Sequence, residues 1–285
     1  MNNFAVIILS HGRPNNIVTL QALQKAGYTG NIHIVIDDED ARADEYFELY
    51  GDMIWQFNKK EAAKITDVAD TKDDRRAVVY ARNESQRMAK AAGYEYILQL
   101  DDDYSNFYYR TAKDGKLITT KVKNFDGIVD AMIKLLDDTG AITVAFSQGG
   151  DFLGGINNNY LAGMTRKAMN SFFMRTDKPL EFFGKINEDV NAYVVHGARG
   201  ELFFTVAKVQ LVQMQTQKNP GGLTDIYLDS GTYVKSFYTV MMAPSCVTVR
   251  PMGISDRRIH HSVKWGNAVP KIISGKYKKP VSVSK

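Results

Sequence analysis

Cysteine is all but missing from this chain. Cys246 is the only one in 285 residues, so an internal disulfide is excluded. Nothing near it marks a nucleophile, and it reads as a small buried apolar residue. Long apolar runs are missing too. No stretch approaches the roughly 18 residues of a membrane-spanning helix. The opening run Phe4 to Leu9 is too short for a signal-peptide core and has no basic segment before it. A cytoplasmic setting is expected, with no membrane partner. The chain also lacks an internal repeat, a low-complexity tract and a dividing linker, so one domain over residues 1–285 is expected.

What is present is an ordinary globular balance, 44% hydrophobic and 24% charged, which is enough to build a core. The net charge of +4 hides an asymmetry. From Arg250 to Lys285 there are nine Lys or Arg against one acid, Asp256. The first 249 residues therefore carry 27 basic against 31 acidic residues. A basic end of this kind attracts phosphates of a nucleotide or a polynucleotide, unless it is only a solvated tail.

Apolar and polar stretches alternate through the first half. Phe4 to Leu9 reads as a strand buried on both faces, ending in the turn-rich Ser10-His11-Gly12-Arg13-Pro14. A helix with Ile17, Leu20 and Leu23 inward and Gly27 as its stop follows. Ile32 to Ile36 is a second strand, ending in Asp37-Asp38-Glu39-Asp40, and Met53 to Phe57 a third. Lys59 to Arg76 reads as a polar surface excursion. Val78 to Ala92 has helical spacing, Tyr96 to Leu100 is a strand, Phe125 to Leu136 a helix and Ala141 to Phe146 a strand. This order predicts an α/β fold, a mainly parallel Rossmann-like sheet with helices on both faces. The second half, from about residue 148, is mixed. It holds a Gly/Asn loop over Gly149 to Asn159, a strand over Leu202 to Met214, a helix over Tyr233 to Met242 and a short strand from Val247 to Arg250.

Five groups of residues carry candidate chemistry. Asp101-Asp102-Asp103 follows directly on an apolar strand, where open α/β sheets bind their ligands. Three acids there repel one another unless a cation is bound, and carboxylates suit Mg²⁺ or Mn²⁺. A solvated acidic turn is the bland reading. Ala81-Arg82-Asn83 opens the helix that feeds this strand, a geometry suited to phosphate, although an Arg on a helix is usually solvated. Asp37 and Asp38 end the second strand, where a carboxylate accepts from a base N–H or a ribose hydroxyl. Glu188 and Asp189 offer a general base, or equally a helix cap. Arg257-Arg258-Ile259-His260-His261 combines diphosphate-binding arginines with imidazoles able to complete a metal shell.

In this order the pieces resemble the GT-A glycosyltransferases. Asp101 to Asp103 looks like their DxD motif, Arg82-Asn83 like the "RN" helix start of some members, and Glu188-Asp189 like their "ED" base motif. His260 or His261 lies where many of them place a late metal-binding histidine. A narrower resemblance rests on Ile8-Leu9-Ser10-His11-Gly12-Arg13-Pro14, Arg258-Ile259-His260-His261, Trp265 and Pro270-Lys271-Ile272. These are similar to bacteriophage DNA-modifying glycosyltransferases, the TET-associated group and the glucosyl- or arabinosyltransferases that decorate 5-hydroxymethylcytosine.

The resemblance implies a UDP-sugar donor, Mn²⁺ or Mg²⁺, and an acceptor in double-stranded DNA containing hydroxymethylated pyrimidines. It implies that residues 1–147 form the nucleotide-sugar half and 148–285 the acceptor side. Ser10, His11, Arg13, Asp37, Asp38, Arg82, Asn83, Asp102 and Arg258 would then bind the nucleotide-sugar. Asp101, Asp103, His260 and His261 would bind the metal. Asp189, with Glu188, would take the acceptor proton and give inversion. The loop Gly149 to Asn159 and Phe107, Tyr108 and Tyr109 would shape the acceptor side. The alternatives are a saccharide or protein acceptor, a sugar nucleotidyltransferase and a non-catalytic DNA-binding module. A Gly-rich lysine signature near residue 12 is lacking, which weighs against the nucleotidyltransferase, and the triple acid repels DNA and weighs against the binding module.

Overall fold

The computed structural model describes residues 3–69, 74–157, 169–213, 223–252, 258–271 and 278. β1 (Phe4–Leu9) is buried at every position, as a β-branched run covered on both faces must be. It is followed by α1 (Val18–Lys25), β2 (Asn31–Asp37), α2 (Ala43–Tyr50), β3 (Ile54–Phe57), α3 (Lys59–Ile65), α4 (Val79–Ala91) and β4 (Tyr96–Asp101). A hairpin of β5 (Tyr104–Lys113) and β6 (Lys116–Lys121) comes next, then α5 (Phe125–Thr139), β7 (Thr143–Gln148) and β8 (Phe172–Arg175). The last elements are α6 (Glu188–Arg199), β9 (Phe203–Gln213), α7 (Leu223–Met242), β10 (Val247–Met252) and β11 (Arg258–Val263).

Among the described residues nine strands form one sheet in the order β3-β2-β1-β4-β8-β7-β9-β5-β6. β3, β2, β1 and β4 are mutually parallel. β8 runs antiparallel to β4 and β7, and β9 runs parallel to β7. The α/β class and the mainly parallel central sheet agree with the sequence reading. β10 and β11 form a separate antiparallel pair.

The sheet separates two apolar layers. On one side α1 and α5 cover Val6, Ile8, Leu98, Phe125, Phe146 and Phe173. On the other, α4 and α6 cover Ile7, Ile97, Phe172, Phe182 and Tyr193. Rings meet edge-on, Phe107 on Phe125 at 4.7 Å and Phe146 on Phe173 at 5.2 Å. Each such side chain contributes roughly 1.5–3 kcal/mol by leaving water. Among the described residues no helix is long and apolar enough to cross a membrane.

The structure corrects three local readings. Lys59 to Arg76 is not simply a surface excursion, because α3 begins there, capped by Asn58, whose side chain accepts from Glu61 N. Ala62 and Val68 from this stretch are buried. Phe107 does not shape an acceptor surface. It is 3% exposed, in the layer beside α5, since strand alternation turns it inward. The helix at Tyr233 to Met242 is the second part of α7, which breaks at Gly231 (φ 68°). Its Tyr233, Phe237 and Met241 face solvent. Residues 158–159 of the expected Gly/Asn loop lie outside the described residues, as does Arg257.

Candidate active site

The carboxyl ends of β1, β2 and β4 meet in one place because the three strands are adjacent and parallel. A first group of acids lines the loop after β1. Asp37 Oδ2 lies 2.9 Å from His11 Nδ1 and 3.1 Å from Lys59 Nζ. Burial raises the Asp37 carboxyl, but His11 and Lys59 together outweigh it and hold the pKa below the usual value. Asp40 accepts from Gly12 N at 2.7 Å. Asp38 accepts from Lys59 N at 2.9 Å and from Asn58 Nδ2 at 2.7 Å. Lys59, Asp40 and Tyr46, whose hydroxyl accepts from Arg13 N at 2.8 Å, were not singled out in the sequence. The Asn58-x-x-Glu61 capping pattern was the available signal for Lys59.

Asp102 belongs to this group rather than to an open cleft. It is 1% exposed. Its Oδ2 accepts from Ser10 Oγ at 2.6 Å and its Oδ1 pairs with Arg13 Nη2 at 2.9 Å. Burial still pushes its pKa up to about 6. Ser10, Arg13 and Asp102 therefore lock the loop after β1 to the turn after β4. Thr19 locks it from α1, since Thr19 Oγ1 donates to Asp101 O at 2.6 Å and accepts from Tyr104 N at 2.8 Å.

A second group surrounds Arg82. This residue lies in the first turn of α4 and is 2% exposed. Its Nη2 is 2.7 Å from Asp101 Oδ1 and its Nε 3.4 Å from Glu188 Oε1. Gln99, a polar residue inside β4, accepts from Arg82 Nη1 at 3.3 Å and donates to Arg82 O at 3.0 Å. Burial opposes the guanidinium charge, yet Asp101 and Glu188 hold its pKa above the ordinary value. Asn83 has both ends of its amide engaged by the backbone of Phe182, at 3.0 and 2.9 Å. Gln86 holds Leu180 in the same way. These two residues pin the segment that leads into Glu188.

Among the described residues Asp103 accepts only long contacts, 3.5 and 3.4 Å, from Gln213 Nε2. Burial, then Asp101 and Asp102, push its pKa up to about 7. A carboxyl crowded by like charges is one that a cation would relieve. Among the described residues no three His, Cys, Asp or Glu side chains form a metal shell, and His260 and His261 are not gathered with Asp101 and Asp103 in one. Mg²⁺ and Mn²⁺ tolerate such a donor set, taking one or two carboxylates and completing the shell with substrate phosphates and water. The residues present fit a divalent ion on that basis.

Glu188 and Asp189 open α6. Burial raises both carboxyls, and their mutual repulsion adds to it at Glu188. Asp189 Oδ1 accepts from Val190 N at 2.7 Å. The residue before them, Asn187, is left-handed (φ 56°), a conformation Asn tolerates better than most residues. Its amide reaches Lys235 O at 3.0 Å, Thr239 Oγ1 at 3.1 Å and His261 Nδ1 at 3.4 Å. This ties the acid pair to α7 and β11. Gly184 (φ 78°) allows α7 to approach, since a Cβ there would meet Tyr238 at 2.6 Å.

Burial, then His260 and Lys235, lower the His261 pKa to about 4, so its ring is neutral at pH 7. His260 Nδ1 lies 2.7 Å from His261 O, which in the neutral ring leaves the lone pair on Nε2. Arg258 is exposed at the start of β11. Lys235 is held below the usual lysine value by burial and then by Arg258, while Asp189 acts the other way. No local sequence signal marked Lys235.

The strand ends of this α/β sheet gather crowded acids beside the acid pair Glu188–Asp189, the first buried and the second half-buried. The chain belongs to the TET-associated glycosyltransferase family, whose sequence model matches residues 4–222. It is thus a glycosyltransferase. No curated protein matches it. Solved structures similar to it include glucosyl-3-phosphoglycerate synthase from Mycobacterium tuberculosis with Mn²⁺, UDP and phosphoglyceric acid. That likeness has 10% identity and a TM-score of 0.47, over 92% of this chain and 87% of that one. TarS residues 1–349 from S. aureus, with UDP-GlcNAc, gives 13% identity and 0.40, over 75% and 59%. The mannosyltransferase PcManGT from Pyrobaculum calidifontis, with GDP-Man and Mn²⁺, gives 14% and 0.46, over 76% and 58%. At these scores the likenesses say nothing about this chain's donor or acceptor.

Proposed function

We propose that this glycosyltransferase moves a sugar from a UDP-sugar to the hydroxyl of a 5-hydroxymethylated pyrimidine, 5-hydroxymethylcytosine, in phage double-stranded DNA, with Mn²⁺ or Mg²⁺ as cofactor. The observation that carries the reading is Arg82, which joins Asp101 of the DxD turn to Glu188 of the acid pair. One buried cation thereby holds a diphosphate-side acid and an acceptor-side acid in fixed relation. The family supports the reaction class, and the TET association in its name supports the acceptor. Such an enzyme works in the cytoplasm of the infected cell.

The loop Ser10–Arg13 with Asp37 and Asp38 holds the uridine. His11 is pre-set by Asp37, and Asp102 fixes the loop from behind. Asp101 and Asp103 would hold the ion, with His260 or His261 as a further ligand. When bound, the ion offsets charge on the departing UDP. Arg258 of β11, with Lys235 of α7, adds positive charge on the same side. Arg82 orients Asp101, and Asn83 orients the segment before Glu188. Asp189 accepts the proton of the acceptor hydroxyl as that oxygen bonds to the anomeric carbon and the bond to UDP breaks, which inverts the configuration. Its raised pKa makes it a stronger base than an exposed carboxylate.

Matched duplexes with cytosine or 5-hydroxymethylcytosine, incubated with a panel of UDP-sugars and analysed by mass spectrometry, test this reading. A mass gain of one sugar on the hydroxymethylated duplex alone is expected. Transfer to free oligosaccharides and never to DNA would leave the family chemistry and remove the acceptor.

A further inference from the structure

The β5–β6 hairpin outruns the sheet that carries it. Pairing of β5 with β9 ends at Tyr109–Val209, while pairing with β6 continues to Lys113–Lys116. Residues 110–119 are therefore a two-stranded ribbon. Every side chain on it is exposed or half-buried. Its two-residue turn, Asp114-Gly115, has positive φ at both positions, 50° and 70°, the tight form that matches strand twist. Four residues of β5 project, about 14 Å at about 3.4 Å per residue. Two strands alone are marginal, and here β6 lies beside the turn Gly155–Asn157.

Its charge is one-sided. Between positions 110 and 123 stand Arg110, Lys113, Lys116, Lys121 and Lys123 against one acid, Asp114. The register places Arg110 opposite Thr119 and Tyr108 opposite Lys121 on one face, with Lys113 opposite Lys116 on the other. Lys208 of β9, exposed, immediately precedes Val209, where pairing with β5 ends. Lysines on an edge strand commonly serve to block edge pairing. That explains Lys116 and Lys121 on β6. Beyond Tyr109 β5 is an edge as well, so blocking also accounts for Arg110 and Lys113. It does not account for Lys208 on β9, which stands between β7 and β5 in the sheet. The Arg110 guanidinium lies 4.4 Å over the Phe152 ring, and its Nε is buried without a hydrogen-bond partner.

We propose that the ribbon lies in the major groove of the duplex acceptor and grips the phosphates on both walls. The major groove, about 12 Å wide, admits a two-stranded β-ribbon. Basic residues on both faces suit two walls, whereas a flat anionic surface would engage one. β5 starts directly after Asp103, so Arg110 stands about seven residues, roughly 24 Å, from the acid turn. That equals about seven base-pair rises. The ribbon thus grips duplex flanking the target nucleotide, whose hydroxymethyl group opens into the same groove. The proposal rests on the DNA-acceptor reading above.

The test compares the wild-type chain with K113Q/K116Q/K121Q, all exposed positions, after melts confirm equal stability. Fluorescence anisotropy with a labelled hydroxymethylated duplex of about 24 base pairs is read between about 50 and 200 mM salt. Transfer to the free nucleoside 5-hydroxymethyl-2′-deoxycytidine is read alongside. The expected result is a loss of duplex affinity of about tenfold or more at low salt, with the salt slope lowered by about 3, one per phosphate contact. Nucleoside transfer stays at the wild-type rate. If the variant binds and modifies duplex as the wild type does, the ribbon is not the grip and the acceptor reading survives. If the wild type neither binds nor modifies any duplex, both fail together. A dimer lost in the variant, with duplex affinity intact, reassigns the ribbon to self-association and overturns the proposal.

Discussion

Two groups of acids stand side by side at the strand ends, and they are neutralised in opposite ways. Those facing the loop after β1 have donors of their own: His11 and Lys59 for Asp37, Gly12 N for Asp40, Ser10 and Arg13 for Asp102. Around Arg82, Asp101 and Glu188 share one guanidinium, and Asp103 has only the long contacts from Gln213 among the described residues. The first group is complete as it stands and makes a preformed wall. The second carries surplus negative charge in a half-buried place, which is costly until a cation or proton arrives. The wall suits recognition of a constant group, and the surplus suits a site that binds an ion and moves a proton.

The largest expected effect comes from removing the surplus. Asp103→Ala abolishes transfer, and EDTA does so reversibly in the wild type, with Mn²⁺ or Mg²⁺ restoring the rate. Full activity of the metal-stripped wild type would end the distinction between the two groups. The proton on Asp103 gives this prediction a sign. With its pKa at about 7, a proton competes with the ion for this carboxylate below that pH, so Mn²⁺ affinity by calorimetry rises as pH is raised through about 7.

Next in size is the base. Asp189→Asn lowers kcat by roughly 10²–10⁴-fold, the usual share of a positioned base. UDP affinity, measured by titration calorimetry, stays unchanged. A collapse of UDP binding with a normal residual rate would move Asp189 to the nucleotide side.

The shared cation sharpens the contrast through stability. Arg82→Met strands the buried Glu188 and the half-buried Asp101 and costs about 3–5 kcal/mol in denaturant unfolding. Arg13→Met costs less, because Asp102 keeps Ser10 and, with a pKa of about 6, takes up a proton readily. Equal costs would show that the two groups do not differ in compensation.

The smallest effect is at His11. Its hydrogen bond to Asp37 outweighs burial and raises its pKa above the ordinary value. The folded chain therefore holds this proton more tightly than the unfolded one. The stabilisation is complete below about pH 6.5, the unfolded value, and fades as pH rises through the folded pKa. His11→Asn thus lowers the melting temperature more at pH 5.5 than at pH 8. A pH-independent difference would mean that the pair is held by geometry rather than by charge.

The strands that build the site were legible from local pattern. Phe4–Leu9 and Tyr96–Leu100 are continuous apolar runs that stop at polar residues, and such runs become buried parallel strands wherever they sit. The acids at their ends announced a charged site, and the order of the motifs suggested its class. β5, β6 and β8 were not legible. Tyr104 to Lys113 mixes Phe107 inward with exposed Thr111 and Lys113, and the four residues Phe172–Arg175 are too short to show a period. The inward turn of Asp102, the double anchoring of Asn83 and the place of Lys235 were not legible either.

By itself, then, the sequence determined where polar residues end buried strands, because burial and backbone pairing act over a handful of neighbouring positions. Only the tertiary structure decided what those polar residues meet. Arg82 reaches Glu188 across 106 positions, Ser10 reaches Asp102 across 92 and Asn187 approaches His261 across 74. A charge chooses its partner by distance in space and by the water excluded between them, and neither quantity is written into the spacing along the chain.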